Sequence, residues 1–558
     1  MLGIFLSAGA AFACAWLEVL GRGLRAASLP ESSRQSPKMA TATSDLDSQS
    51  SPPELFFGLV GAVGTDLESV FESLRRELLA VNYSAEEIRL SSLLADCDKY
   101  SALRDPSALP EHDRIERFMD AGDDFRHTAK RGDAVALLGM GQARDIRDQL
   151  AKDKATTAGR AFVFNSLKHP QEIDVLRRVY GQAFFLISVY ESRENRLKNL
   201  CEKSARTSGS YDPRPFLHAA SKLIDRDQKD LVDDLGQNVR DTFPRADLFL
   251  NVVDGFDLDV QVGRFIRLLF GYPFTTPTIV EYSMFHAKAA ALRSADLSRQ
   301  IGAVIASSSG EILASGCNEV PAVGGGSVWE CEIQNGRTDN RDFVIGYDSS
   351  VRMAHELIAE VFSRLQEEGW LCAGRANMDV NQLAQEALRT GDPPPLKGTR
   401  AASIIEFGRI VHAEMAAVCD AARRGIPIKG ATLYCTTFPC HMCARHLIAS
   451  GLVKVVYIEP YPKSLAKELY TSSIRLDYEP ASAEPAVEFI PFTGVAPRRY
   501  LQLFETTKKR KDDTGRATKW KATTAIPKVA EFSAYRDLEA AHLDLLETNK
   551  ESWGIITK

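Results

Sequence analysis

His412-Ala413-Glu414 and Pro439-Cys440-His441-Met442-Cys443 are the two stretches on which the reading of this chain turns. Cysteines three apart on one helix put their thiols on a common face. A helix N-terminus carries partial positive charge and favours thiolates there. Pro439 suits the first helical turn, where a missing N–H costs nothing. His412 begins another helix and can supply a third ligand. Three protein ligands leave the fourth tetrahedral position open to water, as catalytic rather than structural Zn2+ requires. Glu414 lies on the same helical turn as His412, so its carboxylate can take a proton from that water and hand it on. A structural site would need a fourth ligand. His441 lies between the cysteines and His446 follows on the same helix, awkward positions for closing one tetrahedron. Cys331, His355 and Cys372 match no metal-ligand spacing and read as buried thiols and a surface histidine.

Outward from these motifs the pattern is α/β. A helix is predicted from Glu281 to about Leu292, then strands over 301–306 and 312–315. An irregular insert runs from about Pro321 to Arg400, with Gly324-Gly325-Gly326 and Pro393-Pro394-Pro395. Helices over 412–424, 440–450 and 463–470 then alternate with strands over 431–436 and 453–458. Upstream, Leu55-Phe56-Phe57-Gly58-Leu59-Val60 is a buried-strand signal followed by a glycine-rich turn. Residues 67–81 have helical apolar spacing, and apolar runs recur at 161–164, 183–189 and 246–250. Strand and helix alternating over this length predict a doubly wound domain. The expected division is a leader over 1–53, one α/β domain over 54–272, a second over 275–505, and a polar tail over 506–558. The tail contains Lys508-Lys509-Arg510-Lys511, which reads as a solvated run.

Of the 558 residues 44% are hydrophobic and 25% charged, with net charge −6, which excludes a disordered chain, a fibre and a polytopic membrane protein. The acidic balance argues against a non-specific nucleic-acid coat. Ten cysteines in a chain of this length make no disulfide scaffold. Residues 2–17 are apolar but short for a membrane span, and no basic residue precedes them as in a secretory signal. Up to about Pro53 the sequence is rich in Ser, Ala, Thr and Gln and reads as disordered, with Met39 a plausible true start. The expected location is cytoplasmic, without a membrane partner.

The pattern H-x-E…P-C-x-x-C is the signature of zinc deaminases. Arg293-Ser294-Ala295-Asp296-Leu297-Ser298-Arg299-Gln300-Ile301-Gly302-Ala303-Val304-Ile305 and Gly316-Cys317-Asn318-Glu319-Val320-Pro321 resemble the deoxycytidylate deaminase family. The resemblance implies that Asn318 binds the sugar and that Ser298 and Arg299 lie near phosphate. From about Glu54 to Phe504 the chain resembles the two-domain antiphage dCTP/dCMP deaminases of bacteria. The stretches that carry this are 58–66, Ser166-Leu167-Lys168-His169-Pro170, the deaminase motifs and Glu459-Pro460-Tyr461-Pro462-Lys463-Ser464. It implies a P-loop kinase-like N-terminal domain, a cytidine-deaminase-like α/β/α domain and Zn2+. It further implies free deoxycytidine nucleotides as substrates, depletion of the pool a phage needs, and a homo-oligomer. A nucleotide, RNA or protein acting through the N-terminal domain is the expected regulator. The glycines depart from a working P-loop, G-x-x-x-x-G-K-[ST]. Counted from Gly61, the final glycine falls on Asp66, the lysine on Leu67 and the hydroxyl on Glu68. Gly58, Gly61, Gly64 and Thr65 remain candidates for binding nucleotide without hydrolysing it, beside the plainer reading of a tight turn. Two other functions fit the motifs: deamination of a base within RNA or single-stranded DNA, and a zinc-containing sensing module without catalysis.

Overall fold

Leu55–Gly61 begins a parallel sheet whose seven residues are all buried, the burial of a strand covered by helices on both faces. The structure, a computed structural model, describes residues 52–555 apart from 105–108, 153–157, 230–234, 254, 392, 405, 462–463, 479–483, 507 and 530–533. The expected leader and Met39 therefore lie outside the described residues, save Pro52 and Pro53. Contacts divide the chain into residues 1–50 and residues 51–558, so both sheets described below belong to one unit.

In chain order the first part comprises β1 (Leu55–Gly61), α1 (Leu67–Ala80), β2 (Tyr83–Arg89), α2 (Glu111–Ala129), α3 (Ala134–Lys152) and β3 (Gly159–Asn165). It continues with α4 (Pro170–Tyr180), β4 (Phe184–Tyr190), α5 (Arg193–Thr207), α6 (Leu217–Lys229), β5 (Leu248–Asn251) and α7 (Leu258–Leu269). The second part comprises α8 (Ile279–Ala291), β6 (Gly302–Ala306), β7 (Ile312–Cys317), α9 (Ser349–Glu367), α10 (Val380–Arg389), α11 (Ala413–Arg424) and β8 (Thr432–Thr437). It ends with α12 (His441–Ala449), β9 (Lys454–Glu459), β10 (Ile474–Leu476), β11 (Val487–Pro491), β12 (Gly494–Val495) and α13 (Tyr535–Asn549). The first sheet has the order β12-β5-β4-β1-β3-β2, parallel except for β12. The second has the order β10-β11-β9-β8-β6-β7, parallel from β10 to β8 and antiparallel through β6 and β7.

The strand β12 comes from after the second sheet and pairs with β5 of the first. Two buried carboxylates reinforce the join. Asp247, fully buried at the start of β5, accepts from Leu186 N at 2.8 Å and faces Arg499, Arg498 and Arg177 at 3.1, 3.1 and 3.2 Å. Glu281 of α8, also fully buried, holds Arg264 of α7 by two bonds of 2.8 and 2.7 Å and accepts from Val495 N at 2.8 Å. Between the sheets Phe249, Met284, Val304, Tyr434 and Phe492 share one apolar cluster.

Two expectations are corrected. The insert after Pro321 is not irregular: α9 and α10 pack on each other through Ile358, Ala359 and Ala384. The glycine and proline triplets flank these helices rather than interrupt them. Nor is 506–558 only a polar tail. Helix α13 returns to the first sheet and buries Leu543 and Leu546, with Trp553 beyond it, in the core beside Phe125 and Tyr180. Its Glu539 accepts from Arg147 at 2.7 Å and from the Tyr180 hydroxyl at 2.6 Å, both buried. Charged and polar residues interleaved with the leucines hid this element.

Candidate active site

Helices α11 and α12 present their N-termini to one point. His412 is the N-cap of α11 and Cys440 the N-cap of α12, with Cys443 in its first turn. Pro439 thus precedes the helix rather than lying in its first turn, a correction of one residue. The His412 Nδ1 lies 3.3 Å from the Cys440 Sγ and 3.5 Å from the Cys443 Sγ. All three ligand atoms fall within 4.8 Å of one another. A tetrahedral zinc with ordinary Zn–S and Zn–N bonds has N···S edges of about 3.5 Å, so two thiols and an imidazole in this arrangement fit that metal. It is the single such group among the described residues. His441 and His446 are not part of it. Cys331 and Cys372 are exposed rather than buried, His355 is half-buried, and none of the three belongs to this group.

Local packing fixes the ligands. The strand-like segment before α11 is held by Glu319 and Val411, whose backbones exchange bonds of 3.2 and 3.1 Å one residue ahead of His412. Helix α11 lies close against β7 because Gly316 has no side chain: a Cβ there would collide with the Ala413 carbonyl oxygen and the Ala417 nitrogen. Gly302 on β6 allows α8 the same approach at Ala287 and Ala291. Pro439 is anchored by the Ser464 hydroxyl, which donates to its carbonyl at 2.8 Å. Gly316→Ala is expected to push α11 outward and to lower both metal retention and turnover at least tenfold. Gly302→Ala is expected to cost about 1–3 kcal/mol of stability, as overpacking does, with metal content kept. Zinc content against unfolding midpoint for the two variants checks the distinction.

Glu414 is 4% exposed. Burial pushes its carboxyl up to about 7, and the negative charge of Cys440 adds to the effect. A general acid–base group works best with its pKa near the operating pH. The Cys443 thiol, hydrogen-bonded to Cys440, and the His412 ring hold the Cys440 thiol well below the usual thiol range. The bond to Cys440 pushes His412 up to about 9, and the Glu414 and Asp296 charges add to this.

The other expected residues lie on the turn before β6 and at its rim. Asn318 is buried and braces this turn: its Oδ1 accepts from Ile301 N at 2.7 Å and its Nδ2 donates to the Arg299 carbonyl at 2.8 Å. One amide hydrogen and one lone pair remain for other partners. Ser298 is exposed and bound to Asp296, its hydroxyl donating at 2.8 Å. Arg299 is 45% exposed, 3.4 Å from Glu459, with its guanidinium 5.7 Å from the centre of the Tyr461 ring. Tyr461 is a residue that motif reading left without a role. Burial pushes its hydroxyl above the usual phenol range, and the Cys440 charge adds to the effect.

The N-terminal glycines are placed differently from one another. Gly58 lies inside β1, where a Cβ would press on Leu167, Phe184 and Leu186. Its surroundings are core. Gly61 ends β1, Gly64 and Thr65 belong to the β1–α1 turn, and Gly64 has φ +92°, a conformation that glycine adopts without strain.

Residues 277–459 match the family model described as the cytidine and deoxycytidylate deaminase zinc-binding region. The chain is 48% identical to the deoxycytidylate deaminase of Enterobacteria phage T2 over 54 residues, 10% of this chain and 29% of that protein. It is 38% identical to ComE operon protein 2 of Bacillus subtilis over 63 residues, 11% of this chain and 33% of that protein. The chain thus spans about a third or less of the length of these curated relatives. The dCMP deaminase of the cyanophage S-TIM5 aligns with 18% identity and a TM-score of 0.20, covering 39% of this chain and all of that structure.

Proposed function

We propose, on the premise that residues 277–459 carry a zinc-binding region of the cytidine and deoxycytidylate deaminase type, that the chain hydrolyses deoxycytidine nucleotides to deoxyuridine nucleotides. The observation that carries this reading is the buried Glu414 held on the same helical turn as His412, beside the His412, Cys440 and Cys443 group. His412, Cys440 and Cys443 would hold Zn2+, which when bound supplies a Lewis acid that makes a water more acidic. Glu414 takes a proton from the attacking water at a carboxylate oxygen and returns it to the ring nitrogen. A second proton follows the same route to the departing amine. The new C4–O bond replaces the C4–N bond, so cytosine and water become uracil and ammonia. Asn318, whose amide keeps one donor and one acceptor in reserve, faces the sugar in this reading, and Arg299 with Ser298 meets the phosphate.

Both dCMP and dCTP are substrates in this proposal, because Arg299 is an exposed cation that can meet either chain of phosphates. Arg299→Ala is expected to raise KM for dCMP about tenfold with kcat little changed and to leave any turnover of deoxycytidine unaffected. Equal losses for nucleotide and nucleoside would remove Arg299 from the phosphate site. In the cell the reaction would deplete the deoxycytidine nucleotides that a replicating phage needs, with the first sheet and its helices as the regulatory part. Protection from phage that survives in a Glu414→Gln strain would contradict that role. Self-association fits the apolar side chains exposed on the insert, Trp329, Phe343, Val344, Tyr347 and Trp370, and light scattering of the purified chain tests it. Among the described residues no helix is long and apolar enough to cross a membrane.

A further inference from the structure

A cavity of about 250 Å³ opens at the carboxyl ends of β1 and β3, beside the Gly61–Thr65 turn. The carboxyl ends of parallel strands, where the neighbours of one strand lie to either side, are where open α/β sheets take ligands. The turn itself is not free to cradle phosphate. The Val63 N–H donates to the Asp227 carboxylate at 2.8 Å and the Asp66 N–H to the Glu191 carboxylate at 3.1 Å. The nearest ammonium, Lys168, donates to the Gly61 carbonyl at 3.0 Å and lies 3.3 Å from Asp227. The Asp227 side chain is 1% exposed. Driving it off the turn would leave a buried carboxylate without its donors, a costly exchange.

Other groups on the same cavity are less fully engaged. Gln237 is 6% exposed and its Oε1 accepts no hydrogen bond among the described residues. The buried Thr65 Oγ1 likewise finds no partner among them. Lys203 of α5 has no carboxylate partner among the described residues, and Arg114 of α2 is paired with Glu111 of its own helix while still one-third exposed. Phe118 supplies a flat apolar wall. A buried acceptor left without a donor calls for a ligand that brings one. Cations at the other side call for an anion, and the volume lies just below the usual range for small-molecule pockets.

We infer that this cavity is a binding site for a nucleoside 5′-monophosphate, with the phosphate on Lys203 and Arg114 and a donor edge of the base on Gln237 Oε1. It is separate from the metal group and independent of the deamination reading. Because Asp227 and Glu191 occupy the turn amides, the site selects against the longer phosphate chain of a triphosphate.

The test is calorimetric titration of the zinc-loaded full chain with AMP, dGMP and dTMP, and with ATP in the presence of Mg2+. At least one monophosphate is expected to bind, with ATP at least tenfold weaker. Lys203→Glu and Gln237→Leu are each expected to weaken that binding at least tenfold, whereas His412→Ala leaves it unchanged. Gln237→Leu removes an unsatisfied acceptor, so its unfolding midpoint is expected to stay level or rise, which separates a ligand role from a structural one. The inference is overturned if no monophosphate binds, if binding survives both cavity variants, or if it disappears with His412→Ala. ATP binding as tight as the monophosphate would overturn it too, by showing that the turn releases its carboxylates.

Discussion

Glu414→Gln is expected to lower the turnover of deoxycytidine nucleotides about a thousandfold while the chain keeps its zinc, within the range that a positioned general acid–base group contributes. The side chain is 4% exposed and shares a helical turn with His412 of the candidate metal group. Glutamine reproduces its shape and can still donate or accept a hydrogen bond, but it cannot carry a proton from water to a leaving amine. Folding should be little disturbed, since a buried carboxyl pushed up to about 7 gains no large stability from its charge at neutral pH. His412→Ala supplies the contrast: it should lose zinc and turnover together. Metal content and ammonia release, measured on the same preparations, separate the two cases. Turnover of Glu414→Gln within tenfold of the parent would remove Glu414 from the reaction.

Asp247→Ala is expected to be the most destabilising single substitution outside the metal group, by about 3–5 kcal/mol, the usual cost of breaking a buried ion pair from one side. Asp247 is fully buried and faces three arginines and one backbone N–H. Its removal leaves Arg177, Arg498 and Arg499 together with no anion between them. Arg498 and Arg499 follow β12, the strand that the later part of the chain adds to the first sheet, so the damage falls on the join between the sheets. Denaturant unfolding should show a lower midpoint. A loss below about 1 kcal/mol would mean that the strand pairing and the shared apolar cluster hold the join without this ion centre.

The chemistry-bearing residues were legible because their spacing is set by helix geometry. His412 with Glu414, and Cys440 with Cys443, can be placed on helix starts by counting residues, and the structure brings the His412, Cys440 and Cys443 side chains together. The strands expected over 301–306 and 431–436 form within a residue of those bounds, at Gly302–Ala306 and Thr432–Thr437, and are almost wholly buried. What escaped was long-range or unsigned by periodicity. Strand β2, Tyr83-Ser-Ala-Glu-Glu-Ile-Arg, sits at the sheet edge and carries charges that hide its register. Helix α13 joins a core nearly four hundred residues away in sequence through Glu539 and Arg147, which stand 392 residues apart, and no local pattern announces such a partner. Gly316 looked like part of a turn motif, yet its service is to let a helix backbone approach a strand. Asn318 looked like a ligand-binding residue, and its first two hydrogen bonds go to the chain itself. Tyr461 gained a place only once β9 and α12 were set side by side, with its ring beside Arg299.

The most direct test is ammonia release from dCMP and dCTP by the purified full chain as zinc is titrated in, with CMP, deoxycytidine and a cytosine-containing single-stranded oligonucleotide alongside. The expected result is turnover of the deoxynucleotides that rises with bound metal and saturates at one zinc per chain. No ammonia from either deoxynucleotide at full zinc occupancy, or release from the oligonucleotide alone, would contradict a free-nucleotide deaminase.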